Sequence, residues 1–311
     1  MTQGQSIATA IKQRALVSFL NAHWSIVREI YKKGKCSQYI YIETNAGSGY
    51  NDLVDCDGSP IIALRCFSQT TDMPWSCVFI EKSGDSCLEL AHHCSTLLES
   101  SVLLVSDSTH RDFRWLSAQV GCLQRVEMIG ATPNELRGTM AHVIAQGLAC
   151  VIVNFDNCHA LPSVSRLPQR SYGLVYADPN ALKDSPEEAM RTFFRSPTAC
   201  RLDLLFNLDG HMRRRVIAAQ EKGYCSGYND TRSMMKRVNK KHWWVRDPVP
   251  GNSKGSQWVF LLGANYPDLK IRALKESGLS MYKIDSDKGK EVFARIMGEN
   301  FCNLYQLSLE L

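Results

Sequence analysis

Residues 39–49 read Tyr-Ile-Tyr-Ile-Glu-Thr-Asn-Ala-Gly-Ser-Gly: an apolar, β-favouring run, an acid at Glu43, then a turn of small residues. Glycine tolerates positive φ and lets a ligand approach the main chain closely. Ala46, Gly47 and Gly49 are therefore expected to make a tight loop beneath a nucleotide-like ligand, with Glu43 placed to hold a cationic or hydroxylated group. The spacing is Glu-x-x-Ala-Gly-x-Gly, which departs from the Gly-x-Gly-x-x-Gly of nicotinamide dinucleotide loops, and it carries no phosphate-cradling lysine. Three further acids follow apolar runs in the same manner. Glu81 closes 77–81, Asp156 with Asn157 follows 150–154, and Asp178-Pro179-Asn180 follows 172–177.

The elements that must position these residues alternate in kind. Helices are expected at 8–33, at 59–68 (entered through Ser59 as cap and Pro60 in the first turn), at 85–99 with Asp85 as cap, at 133–146 and at 184–196. Strands are expected at 38–43, 77–81, 102–105, 124–129, 150–154, 172–177 and 203–208. Two more, 242–246 and 257–262, flank the turn-rich segment 247–253 and suggest a hairpin. The pattern implies an α/β fold: a doubly wound, mostly parallel sheet covered on both faces, with a C-terminal antiparallel hairpin. One domain spans 1–311, with 101–148 read as an insertion and 266–311 as a C-terminal extension. In such sheets the ligand lies outside the carboxyl ends of the strands, where Glu43, Glu81, Asp156 and Asp178 all fall.

Bulk properties fit this picture. The 311 residues are 44% hydrophobic and 22% charged, ordinary for a globular chain. No apolar run reaches the roughly 18 residues of a membrane span, and no secretory signal is visible at the N-terminus. The twelve cysteines show no Cys-x-x-Cys pair and sit mostly in apolar stretches, as in a reducing cytoplasm. The net charge of +5 permits an anionic partner without requiring one. His92, His93 and Cys94 are adjacent on one expected helix and so point apart; no metal site is expected.

An acid and glycine loop on the first strand, with a second acid ending the next, resembles the class I S-adenosylmethionine-dependent methyltransferase fold, which is Rossmann-like. Glu43-x-x-Ala46-Gly47-Ser48-Gly49, Gly58-Ser59-Pro60-Ile61-Ile62-Ala63-Leu64, Phe79-Ile80-Glu81, Tyr176-Ala177-Asp178-Pro179-Asn180 and Asp203-Leu204-Leu205-Phe206-Asn207, in that order, narrow it. The chain is similar over residues 10–265 to the three-Cys-motif partner (TcmP) family, methyltransferase-like proteins of bacteria and phages. The resemblance implies S-adenosylmethionine as cofactor. Glu43, Ala46, Gly47 and Gly49 would border its methionine end, Glu81 its ribose hydroxyls, and Asp156 or Asn157 its adenine. Asp178, Pro179 and Asn180 would face the methyl acceptor. Amino-methyltransferases acting on bases carry a second proline and an aromatic residue after the first Pro; here Asn180 and Ala181 stand in those places.

Two basic clusters suggest a nucleic-acid acceptor: Arg213, Arg214 and Arg215, then Lys236, Arg237, Lys240 and Lys241 beside Trp243 and Trp244. Cations interleaved with Trp suit a phosphate backbone and stacked bases; the alternative is a solvated face with both Trp residues anchoring the core. Three readings follow: a methyltransferase acting on nucleic acid; a methyltransferase-like cofactor- or nucleotide-binding partner protein of a phage or mobile-element system, favoured by the lost aromatic; or an interaction protein with an empty pocket.

Overall fold

The computed structural model describes residues 7–52, 55–69, 72–98, 100–179, 187–209, 231–250, 257–266 and 279–297. A central sheet carries the chain. Its spine runs, edge to edge, β13 (Met281–Lys283), β10 (His242–Arg246), β12 (Gln257–Ala264), β9 (Asp203–Asp209), β8 (Ser171–Ala177), β1 (Gln38–Glu43), β4 (Trp75–Ile80), β7 (Cys150–Asn154), β5 (Val102–Asp107) and β6 (Val126–Ala131). From β9 to β6 every neighbouring pair is parallel. β12 runs antiparallel to both β9 and β10, β13 runs antiparallel to β10, and the short β11 (Val249–Pro250) also pairs with β12. A separate ribbon, β2 (Tyr50–Asn51) with β3 (Cys56–Asp57), follows the glycine loop.

Side chains alternate across the sheet and build two cores. Tyr39, Tyr41, Cys77 and Phe79 face α1 (Ile7–Lys32), α2 (Ser59–Ser68), α3 (Gly84–Leu98) and α4 (Phe113–Val120). Ile40, Ile42, Val78 and Ile80 face α5 (Leu136–Ala145), α6 (Asn157–Ser163), α7 (Glu187–Phe194), α8 (Thr231–Arg237) and α9 (Asp287–Met297). The architecture is thus α/β in three layers. Among the described residues no helix is long and apolar enough to cross a membrane.

The α1 helix crosses the strands at a buried polar knot. His23 Nδ1 lies 2.9 Å from the Tyr39 hydroxyl on β1, and its Nε2 lies 3.1 Å from Asp203 Oδ2 on β9. The helix therefore spans β9, β8 and β1 and is tied to the outer two of the three.

Several local expectations change. Ser59 does not cap α2: the N-cap is Gly58, because the Ser59 hydroxyl donates to buried Glu43 instead. Asp85 lies inside the first turn of α3, and it is the Ser83 hydroxyl that accepts from the Ser86 amide at 3.3 Å. The segment 101–148 adds the further short helix α4, and its strands β5 and β6 extend the main sheet beyond β7. The expected helix 184–196 is described only as α7, from Glu187.

Candidate functional site: a cavity at the carboxyl ends of four adjacent strands

Parallel neighbours end on the same edge of a sheet. β8, β1, β4 and β7 are consecutive and parallel, so residues following each strand meet above that edge. From β1 the chain moves to β4 on one side and later returns to β8 on the other. This is the reversal of strand order at which open α/β sheets form a crevice. A cavity of about 620 Å³ opens there.

The β1 loop forms its floor. Gly47 and Gly49 have φ of 65° and 82°, in the left-handed region that favours glycine. A Cβ on Gly58 would come within 2.7 Å of the Gly49 carbonyl carbon, so the α2 entrance presses directly on the loop. Hydrogen bonds fasten the loop to both neighbouring strands. The Thr44 amide donates to the Tyr176 carbonyl on β8 at 3.0 Å, and the Ala46 amide donates to the Ile80 carbonyl on β4 at 3.0 Å. Glu81 accepts from the Gly47 amide at 2.9 Å and from the Ser83 amide at 2.8 Å. This acid therefore clamps the glycine loop from the wall of the cavity. Asn154, at the tip of β7, donates to the carbonyls of Glu81 and Lys82 at 3.2 and 3.1 Å.

Ala46, Gly47, Gly49, Glu81, Asp156, Asn157 and Asp178 all line this one cavity. Asp156 caps α6 by accepting from the Cys158 amide at 2.9 Å, so it serves as a turn residue and as wall at once. Asn157 reaches back to the Thr44 carbonyl at 3.5 Å. Pro179 follows Asp178 but is not among the lining residues. Asn180 and Arg213–Arg215 lie outside the described residues.

Glu43 is a correction. It is fully buried and does not line the cavity. It alternates in phase with Tyr39 and Tyr41, so its side chain enters the helix-covered core beneath the loop. There the Tyr41 hydroxyl donates to it at 3.0 Å and Ser59 to its other oxygen. Burial, outweighing these two bonds, pushes its carboxyl from the ordinary 4.5 to about 8, with the nearby Asp178 charge adding to the rise. At neutral pH Glu43 is mostly an uncharged hydrogen-bonded core group.

Sequence reasoning missed the residues that surround Asp178. Lys12, from α1, forms an ion pair with Asp178 Oδ2, the two side chains being only 18% and 15% exposed. The Tyr176 hydroxyl donates to the same oxygen at 3.3 Å, and Asn207 Nδ2 donates to Oδ1 at 2.6 Å. Lys12 stands 166 positions from Asp178, and no local pattern announces that pairing. Tyr176 and Asn207 each lay inside a quoted motif, but only strand parity and sheet order bring them to Asp178.

The basic cluster is corrected in part. Lys240 is buried, its ammonium donating to the Cys200 carbonyl at 2.8 Å and to the Leu202 carbonyl, with the Phe194 ring centroid 4.1 Å away. Desolvation lowers its pKa from 10.5 to about 8, against the Asp203 charge, which raises it. Trp243 and Trp244 are buried on opposite faces of β10, one in each core. They anchor the sheet and present no face to a base. Lys236 and Lys241 are exposed and Arg237 is half-buried. Cys94 is buried, while the His93 ring stacks on Tyr50 with centroids 5.8 Å apart. Among the described residues no three His, Cys, Asp or Glu side chains gather as a metal site would require.

No protein-family model and no curated protein matches the sequence. Among solved structures, a Legionella pneumophila protein assigned to the family model DUF519 aligns with 90% of this chain and 97% of its own. The identity is 13% and the TM-score 0.48, a likeness too slight to bear on fold family or chemistry.

Proposed function

We propose that the cavity binds S-adenosylmethionine and that the chain is a methyltransferase of the Rossmann-like class I type, related to the TcmP family. The observation that carries the proposal is the charge of the cavity wall. Glu81, Asp85, Glu89, Asp156 and Asp178 face it against Lys12 and Lys82. An acid-rich cavity repels a polyphosphate and favours a ligand bearing a sulfonium, an ammonium and sugar hydroxyls. A pinched glycine loop at the strand-order reversal suits an adenosine-type ligand. With β5 and β6 set aside, the order β7-β4-β1-β8-β9 follows the 3-2-1-4-5 succession of a doubly wound sheet, which supports this reading; β5 and β6, beyond β7, depart from it.

The sulfonium is itself a reactive methyl donor, so the protein's work is alignment and desolvation. In this reading the loop at 46–49 seats the methionine end from its main chain, without a charge from Glu43. Glu81 retains lone pairs for ribose hydroxyls while holding Gly47 and Ser83. Asp178 takes the acceptor's hydrogen bond. A nucleic-acid acceptor rests on Lys236, Arg237 and Lys241 together with Arg213, Arg214 and Arg215. The reading as a cofactor-binding partner protein without transfer draws on one observation of its own: both Asp178 oxygens already accept hydrogen bonds.

Calorimetry with S-adenosylhomocysteine tests the binding claim, with Glu81→Ala as the paired variant. We expect saturable binding by the wild type and a loss of at least tenfold in the variant, about 1.4 kcal/mol, because the loop clamp and the ribose acceptor go together. No binding by folded wild-type protein sinks the proposal. Labelled cofactor with mixed DNA and RNA then separates transfer from binding alone.

A further inference from the structure

We propose that the seat at Asp178 receives a primary amine and that Lys12 is itself a methyl acceptor, making Lys12 Nζ a self-methylation site. This rests on the methyl-transfer reading of the same cavity.

Three observations carry it. Lys12 and Asp178 both line the cavity that the glycine loop floors, so the amine and the expected methyl donor share one compartment. The Lys12 ammonium is already seated on Asp178 Oδ2, at the group that would receive an acceptor. Asn207, whose Nδ2 holds Asp178 Oδ1, is 8% exposed, and its own Oδ1 is buried with no hydrogen-bond partner. Asp178, held by the Tyr176 hydroxyl and the Asn207 amide, makes an anionic polar seat that suits an ammonium group. A neutral ring amine, with two donors and no charge, would leave the carboxylate's charge unmatched. Lys12 is in this sense the chain's own example of the acceptor chemistry.

The step balances simply. The ammonium gives one proton to Asp178, freeing the nitrogen lone pair. Nitrogen attacks the S-methyl carbon in line; the N–C bond forms as the C–S bond breaks. The bond pair stays on sulfur, leaving neutral S-adenosylhomocysteine. The methylated amine leaves the attack already cationic, Asp178 releases its proton to solvent, and the ion pair re-forms.

The test uses the full-length chain and trideuteromethyl-labelled S-adenosylmethionine, with intact-mass and peptide mass spectrometry. We expect label on Lys12 of the wild type, loss of that label in K12R, and loss of label from Lys12 in D178N. Thermal unfolding and near-ultraviolet circular dichroism report that both variants fold, and S-adenosylhomocysteine binding is scored on the wild type by calorimetry. Wild-type protein that binds S-adenosylhomocysteine yet leaves Lys12 unlabelled overturns the self-methylation site and spares the cofactor reading. Undiminished Lys12 labelling in D178N overturns the role of the seat. Failure to bind S-adenosylhomocysteine at all removes the cofactor reading and this inference with it.

Discussion

Two lysines, both drawn largely out of water, show how the two ends of the sheet differ. Lys12, at the parallel rim, meets a carboxylate across a cavity and is joined there by Tyr176 and Asn207. Lys240, beside the antiparallel end, is buried and meets two main-chain carbonyls and an aromatic ring. The first arrangement leaves charged groups facing space that a ligand can fill. The second spends its cation on closing the Cys200–Leu202 turn. Net positive charge along a segment therefore says little about binding until its partners are known; Lys240 and both Trp residues of the basic cluster belong to the packing.

The sharpest way to break this contrast is to remove Trp244. Trp244→Ala empties a large buried site and is expected to cost about 3–5 kcal/mol, read from denaturant unfolding. Because the indole nitrogen has no hydrogen-bond partner, Trp244→Phe should lose less than about 1.5 kcal/mol. A Trp244→Ala protein of unchanged stability but weakened nucleic-acid binding would restore Trp244 as a contact residue.

The titration of the two ends sharpens the comparison, since they tilt stability in opposite directions. Folded Glu43 keeps its proton to about pH 8, while the unfolded carboxyl releases it near 4.5. Between those values the folded state binds more protons, so this contribution is whole below pH 4.5 and declines as pH rises to about 8. Folded Lys240 loses its proton near pH 8 and the unfolded amine near 10.5. In that window the unfolded state binds more protons, and stability climbs with pH. Glu43→Gln should flatten the decline between pH 5 and 8, leaving the variant more stable than wild type at pH 8 by on the order of 2 kcal/mol. Lys240→Met should abolish the rise between pH 8 and 10.5. Denaturant unfolding across pH checks both, and an unaltered slope in either variant would sink the corresponding assignment.

The smallest effect belongs to the exposed cations. Lys236→Glu with Lys241→Glu should change stability by no more than about 0.5 kcal/mol. If these residues meet a phosphate backbone, the double variant should weaken binding to mixed-sequence RNA or DNA and lower its salt dependence. Unchanged affinity and salt slope would leave the nucleic-acid acceptor without support from this segment.

The parallel half of the fold was legible because buried parallel strands are continuous apolar runs that stop abruptly at polar turns. The bounds of β1 and β7 agree with those expected from residues 38–43 and 150–154. The common rim was legible for the same reason, since each acid followed such a run. Depth was not legible. Glu43 reads as a strand-end acid like Glu81, and only its phase with Tyr39 and Tyr41 shows that it faces the core. The Ser59 cap failed on the same point, because a hydroxyl near a buried carboxyl serves it in preference to a helix end. Short α4 escaped because its eight residues hold too few turns for a clear period. Lys12 escaped because its partner is brought to it by topology alone.

The knot of His23 with Tyr39 and Asp203 has a mechanical consequence for the first helix. It fixes the middle of α1 across three strands, while Lys12 sits three turns nearer the N-terminus, on the cavity wall. That forward stretch is seated by buried Ala15, Leu16 and Phe19, by the Cys56 thiol donating to Gln13 at 2.8 Å, and at its far side by the ion pair with Asp178. Breaking that pair would release the Lys12 side chain beside the cavity without loosening the anchorage behind it.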